Sequence, residues 1–345
     1  MALFRLVSVD TLNYVAAFFH AIQAVISLAL VTWLRTQPQE NLLFNGGRFS
    51  LVRVVPIWRE NTIDSEVTDS GNVDVGYVAV AFFFLSAFFQ GIGGLLLSNE
   101  PRPIKTQRMV ILRFVEYSFS ASIMMIAIAL EAGVRDIYTL ECMFALIWIT
   151  QILGLLAEMI FKRQTEDDRW TWLIPHCSGW VVCLCAYSPA LDIFLQSSSK
   201  SEKKPPDFVK VMIFLEFALF ACFGFVQTYG LTAKTLLQAD DTHTNRLHAA
   251  RSNSPISSMS VIYTSTTNNL PYISNAYQGG GEEEDSCCCC TLNPTGYSAM
   301  TQANIIDLQC EYAYIILSLT AKTLLCWIIL SPILTDAIHS SSTTA

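Results

Sequence analysis

Lys322 is a charge where a bilayer would not tolerate one. It lies in the run Tyr312-Ala-Tyr-Ile-Ile-Leu-Ser-Leu-Thr-Ala-Lys-Thr-Leu-Leu-Cys-Trp-Ile-Ile-Leu. About ten helical residues, roughly 15 Å, separate it from Pro332, which is half the hydrocarbon thickness and too deep for easy snorkelling. An intramembrane lysine is expensive unless it faces the bundle and is paired or chemically changed. Three readings follow: a salt-bridged structural lysine, a helix boundary displaced by several residues, or an amine that condenses with an aldehyde to an imine. A protonated imine keeps one positive charge and needs a carboxylate within a few ångströms. Arg113-Phe-Val-Glu116-Tyr117-Ser118-Phe-Ser120-Ala-Ser122-Ile-Met124-Met125 supplies one. Glu116 opens a polar stripe with Ser120 one turn later on the same helical face. The alternative for Glu116 is an interfacial carboxylate held by Arg113, one turn earlier.

These residues need apolar helices to position them, and the composition demands a membrane. Of 345 residues, 52% are apolar and 14% charged, and the net charge is -8. A soluble domain usually carries about 25% charged residues, so an ordinary cytosolic enzyme is excluded, and there is no basic footprint for nucleic acid. At about 20 apolar residues per crossing, seven spans can be placed near 11–34, 75–97, 109–131, 138–161, 172–195, 208–231 and 305–333. The first is too long, and preceded only by Arg5, for a cleaved signal peptide. The expected fold is an all-α membrane protein, a seven-transmembrane-helix bundle with a small β structure in its first loop.

Two connections are long. Residues 35–74 contain Asn41-Leu-Leu-Phe, then Asn45-Gly-Gly, then Arg48-Phe-Ser-Leu-Val-Arg-Val-Val, two β-rich runs around a turn that tolerates positive φ. Residues 232–304 are rich in Ser, Thr and Asn, with an acidic run ahead of Cys287, Cys288, Cys289 and Cys290. That composition buries too little to offset ordering entropy, so disorder is expected. The Cys tetrad is a lipidation candidate that would pin the loop to membrane lipid, and the loop could also dock a signalling partner. The expected organisation is 1–231 as helices one to six with loop 35–74, 232–304 as the long loop, 305–333 as helix seven and 334–345 as a tail. Positive charge concentrates in the short loops 98–108 and 162–171, which favours a cytoplasmic N-terminus and an extracellular tail.

The helix-three motif Glu116-Tyr117-Ser118 with Ser120, Ser122 and the Met pair, and the helix-seven motif Leu317-Ser318-Leu-Thr-Ala-Lys322-Thr-Leu-Leu with Trp327, resemble the heliorhodopsin family. His20-Ala-Ile-Gln23, Ser86-Ala87 and Gly154-Leu-Leu-Ala-Glu158 agree with it, so the residues that carry the resemblance lie on helices one to four and seven. It implies a rhodopsin-like retinal protein inverted relative to ordinary microbial rhodopsins, with a cytoplasmic N-terminus, an extracellular β-containing first loop and a homodimeric state. All-trans retinal would be a protonated Schiff base on Lys322, with Glu116 as counterion and Ser318 beside the imine. Ser86, His20, Tyr117, Ser120, Met124, Phe217 and Gln90 complete the expected chromophore environment. The implied role is light sensing with a signalling output. A light-gated proton conductor is the alternative, and a receptor for a diffusible ligand with a structural Lys322 is a weaker third. The chain departs from the family at Gln90, where a His usually follows the helix-two Ser by one turn, and in the length of 232–304. Ordinary pumps carry an Asp where Ser318 stands, and the Asn-Pro-x-x-Tyr end of animal opsins is missing from helix seven.

Among the other polar residues, His20 reads by composition as a hydrogen-bonded structural His, and the resemblance moves it toward the counterion. His176 reads as structural or interfacial, and Trp180, Phe217 and Phe220 as bundle packing from which the polyene's walls would be drawn. Glu131 and Glu141 are expected at the interface, while Glu158 and Glu311 should anchor helix ends. Glu216, about 12 Å into the sixth span, is the one candidate for a proton path. Gly91, Gly93 and Gly94 suggest close helix packing rather than phosphate binding. The sequence shows no zinc-ligand spacing, nucleophile elbow or nucleotide loop, so no enzyme activity is expected.

Overall fold

In the computed structural model the described residues are 8–37, 47–59, 62–97, 102–165, 168–200, 206–252 and 294–343. They form α1 (Val9–Leu34), β1 (Arg48–Arg59), β2 (Thr62–Asp74), α2 (Val75–Leu97), α3 (Arg102–Ala132), α4 (Ile137–Arg163), α5 (Leu173–Lys200), α6 (Asp207–Ser252) and α7 (Pro294–Thr343). All seven helices are long and apolar enough to cross a membrane. Large apolar side chains such as Phe18, Phe84, Val181 and Phe225 point outward, while Glu116, Ser120, Ser318 and Lys322 are buried inside. Lipid is as apolar as leucine, so burial of hydrocarbon cannot sort these faces, and polar groups turn inward to find partners. Among the described residues, 236–252 and 294–304 fall in a unit separate from the bundle.

Local chemistry sets the helix ends. The Asp136 carboxylate caps α4 by accepting from the Thr139 N–H at 2.8 Å. Gly133, at φ 107°, closes α3. The Gly133 N–H donates to Leu130 O at 3.1 Å and the Val134 N–H to Ala129 O at 2.9 Å, the paired bonds of a Schellman ending. Pro189 lies inside α5 and cannot donate to the carbonyl of Cys185, four residues back. The Ser188 hydroxyl donates to that carbonyl instead, at 2.9 Å.

β1 and β2 pair antiparallel from Arg48↔Asp74 to Arg59↔Thr62. Gly71, at φ 102°, supplies the left-handed residue of a bulge where the register slips between Leu51 and Val52. The β structure in the first loop is therefore present, but the hairpin turn is not at Asn45-Gly-Gly. The last pair of the hairpin is Arg59↔Thr62, and residues 60–61 and the run 41–44 lie outside the described residues. Residues 62–74 carry few β-formers, and their strand state comes from pairing with β1. Gly47 does adopt positive φ, 84°, at the entry to β1. The hairpin is tied to the bundle where the Val52 N–H donates to Arg135 O at 3.0 Å and where the Arg135 guanidinium lies 4.2 Å over the Phe49 ring.

The sixth connection is shorter than 232–304. α6 runs on to Ser252 and α7 starts at Pro294. Hydropathy marks where a helix leaves the bilayer, not where it ends, and Leu231-Thr-Ala-Lys-Thr-Leu-Leu-Gln-Ala is made largely of good helix formers. Cys287 to Cys290 lie outside the described residues.

Candidate functional site

α3 and α7 each present a stripe of polar side chains at three- and four-residue spacing, and the two stripes face each other. On α7 it is Asp307, Glu311, Tyr314, Ser318 and Lys322; on α3 it is Arg113, Glu116, Tyr117 and Ser120. Two of the α3 serines are satisfied within the helix, while Ser120 Oγ has no hydrogen-bond partner among the described residues. Ser118 donates to Phe114 O and Ser122 to Ser118 O, each at 2.7 Å.

Lys322 is 2% exposed. Its ammonium donates to Glu116 Oε1 at 2.7 Å, to Ser318 Oγ at 2.9 Å and to Ser86 Oγ of α2. Three N–H bonds thus meet three acceptors from three helices. Arg113, the other partner considered for Glu116, is engaged elsewhere by an ion pair to Glu311 and lies 3.8 Å over the Tyr314 ring. Glu116 and Glu311 therefore each have their own cation, and leaving either without one would cost several kcal/mol.

Lys322 stands at one wall of a cavity of about 100 Å³. Tyr117, Ser120 and Met124 of α3, Ile147 and Thr150 of α4, Trp180 and Cys183 of α5, Phe220 and Phe223 of α6, and Ser318 of α7 line it. A mostly apolar ligand joined to the Lys322 nitrogen fits that lining, because Ser318 stands at the amine and side chains such as Met124, Ile147, Trp180, Phe220 and Phe223 make most of the wall apolar.

The other expected site residues fall in different places. Tyr117 donates from its hydroxyl to Tyr314 O at 3.2 Å, and its ring lies 5.3 Å from Lys322 Nζ. Phe217 is not in the cavity lining; its ring packs 5.1 Å from Tyr187, and Phe220 and Phe223, one and nearly two turns along α6, take the wall. His20 is fully buried, 5.8 Å from the Phe83 ring, and neither ring nitrogen has a hydrogen-bond partner among the described residues. That differs from the hydrogen-bonded structural His read from composition. Gln90 lines a second cavity with Glu116.

His176 proves to be a cavity wall rather than an interfacial residue. Its Nε2 is 2.7 Å from Thr228 Oγ1 and accepts from Trp180 Nε1 at 3.2 Å. Gln227, which donates to Gly154 O at 2.7 Å, and Tyr314 also line the cavity. Glu141 is exposed, as expected of an interfacial acid. Glu131 is not: it is buried and its carboxylate has no hydrogen-bond partner among the described residues. Lys234, read as part of a loop, is a bundle residue 2.8 Å from Asp307 and 3.8 Å from Glu158. Glu216 is fully buried, and neither carboxylate oxygen has a hydrogen-bond partner among the described residues. The described residues include no cluster of metal-ligating side chains.

A family model described as heliorhodopsin matches residues 9–236. The match spans α1 to most of α6 with the first loop between them, and α7 with Lys322 lies beyond it. No curated protein matches the chain.

Proposed function

The chain belongs to the heliorhodopsin family and is a multi-pass membrane photoreceptor that binds retinal, and from that premise we propose that it is a light sensor whose chromophore is held on Lys322. The observation that carries the proposal is the buried contact of Lys322 with Glu116, Ser86 and Ser318 at the wall of the apolar cavity. All-trans retinal, held there as a protonated Schiff base, supplies the absorption of light and the change of shape that follows. The protein does the rest. Glu116 balances the positive charge, Ser318 and Ser86 fix the orientation of the carboxylate and the nitrogen, and Met124, Trp180, Phe220 and Phe223 exclude water from the apolar chain. His20 stays within reach of the charge without a protein partner of its own.

In this reading the N-terminus is cytoplasmic, the β hairpin is extracellular, the protein is a homodimer, and the output passes to a cytoplasmic partner through the connection between α6 and α7. The test is to express the full chain with all-trans retinal and record its visible spectrum with and without hydroxylamine in light. A band that hydroxylamine bleaches, and that Lys322→Ala abolishes while the helical circular dichroism persists, is the expected result. Colour that survives Lys322→Ala at the same wavelength overturns the attachment.

The burial of Glu216 favours a second reading, a light-gated proton conductor. α6 begins at Asp207, so Glu216 lies more than two turns inside the helix rather than at its end, and deep carboxylates are functional suspects in a bilayer. One acid is not a continuous path, and the sensor reading predicts no steady photocurrent in patch-clamped cells. A steady current dependent on the pH gradient, and lost in Glu216→Gln without bleaching, reverses the ranking.

A further inference from the structure

Two further cavities, each lined in part by polar groups, flank the Arg113–Glu311 pair on the side where α1 begins, and the first also reaches Glu116. The first, of about 40 Å³, is lined by Asn13 of α1, Gln90 of α2, Arg113, Glu116 and Tyr117 of α3, and Glu311 of α7 among others. The second, of about 20 Å³, is lined by Arg113, Glu158, Lys234, Asp307, Cys310 and Glu311 among others. The residues common to both are Arg113 and Glu311, which are paired with each other. The ion pair is therefore the partition between the cavities.

A second observation shows that the first cavity is built for a polar guest. Gln90 is 6% exposed and its Oε1 has no hydrogen-bond partner among the described residues, although it lines the chamber that Glu116 and Glu311 share. Buried amide oxygens are almost always satisfied, and in a polar chamber ordered water does so. At the far side of the second cavity the Asp307 side chain is 35% exposed, which opens the series to solvent.

We propose that these two cavities form a proton half-channel from Glu116 to the end of the bundle where α1 begins, with Glu311 as the relay between them. A proton held on Glu116 leaves as its O–H bond breaks, and the electron pair stays on the Glu116 carboxylate. Water in the first cavity carries the proton to a Glu311 carboxylate oxygen, where a new O–H bond forms. Glu311 then releases it through the second cavity toward Asp307 and solvent, so one proton moves and no other bond changes. Arg113 stays charged throughout. It is a positioning residue: when Glu311 is neutral the guanidinium loses its anion and can turn toward Glu116, and when Glu311 is ionised the pair closes again. The charged and titratable groups around Glu311 are Arg113, Glu116 and Tyr117 from α3, Glu158 from α4 and Lys234 from α6, with Asp307, Cys310 and Tyr314 on its own helix. Glu216 has no place in this path; it lines neither cavity and neighbours Tyr187.

The light-driven arm rests on the retinal reading, so the test has a retinal-free arm as well. In the retinal-free full chain, a stopped-flow pH jump followed in the infrared reports how fast Glu116 exchanges its proton, identified as the signal missing in Glu116→Gln. Glu311→Gln should slow that exchange about a hundredfold, the lower end of what a placed proton-transfer group contributes. In the retinal-loaded chain, time-resolved infrared should show a protonated-carboxyl band gained in light that Glu311→Gln lacks. Glu311→Asp, which keeps an acid, should restore fast exchange and shift the band, and it decides the matter if the Gln variant does not fold. An unchanged exchange rate and an unchanged band in Glu311→Gln overturn the relay. If wild type takes up no retinal the photoreceptor reading fails, while the pH-jump arm still returns a slowed rate that supports the half-channel or an unchanged one that refutes it.

Discussion

At the scale of single residues, the decisive fact is how charges are sorted between α3 and α7. Glu116 and Arg113 are one turn apart on α3, and an i, i+3 pair on the same helix was a legitimate alternative. What separates them is that α7 offers each a better partner: Lys322 at 2.7 Å for Glu116, and Glu311 for Arg113. Replacing the carboxylate by an amide removes an anion from the nitrogen and spreads the positive charge along the polyene, so Glu116→Gln should move the visible band to longer wavelength. An absorption spectrum of the purified variant at matched pH checks this, and an unshifted band points to another counterion. The two reactive positions were legible because their types conflict with their surroundings: a lysine amid leucines and a glutamate leading serines. Lys234 and Asp307 were not, because both lie where hydropathy has already fallen and a charge looks unremarkable. The sign was available in the spacing of Asp307, Glu311, Ser318 and Lys322, a stripe on one face that extends beyond the apolar run.

At the scale of elements, the spans were readable because lipid imposes length and polarity, whereas the hairpin was readable only in part. β1 advertises itself by its Val and Ile content, but β2 is polar and takes its form from its neighbour, so the turn could not be placed from sequence. The junction of hairpin and α2 rests on Asp74, whose carboxylate accepts from the Gly76 N–H at 3.0 Å and pairs with Arg35 of the α1 end. Burial holds its carboxyl above the usual carboxylate range, against the opposing pull of the Arg35 guanidinium. The folded state thus binds this proton more tightly than the unfolded chain does, so stability from Asp74 is fully present at low pH and declines as pH rises above about 3.9. The melting temperature of wild type relative to Asp74→Asn should fall as pH climbs through that acidic window and then level off; a rise would reverse the sign. At neutral pH Asp74→Ala should cost about 1 kcal/mol from the lost cap, read as a lower melting temperature.

At the scale of the whole molecule, the arrangement is an apolar pocket enclosed by α3 to α7, with wet chambers toward the end where α1 begins. The reading that this end is cytoplasmic rests on the basic loops 98–108 and 162–171 and is open to direct test. A tag after Ala345 should be labelled on intact cells, and labelling only after permeabilisation would invert the assignment. The break at Pro189 bears on how such a bundle can respond to a change inside it. A lipid-facing helix cannot bend by baring a carbonyl to hydrocarbon, because no solvent is there to take it. In α5 the missing rung has already been replaced by the Ser188 side chain, which can swivel with the backbone. The helix therefore behaves as two stiff rods on a compliant joint, and one of those rods carries His176, Trp180 and Cys183 along the pocket wall. Work done on that wall can swing the rod without breaking any helical backbone bond at the joint, so strain from the pocket leaves the bundle through a chosen hinge rather than by loosening the whole.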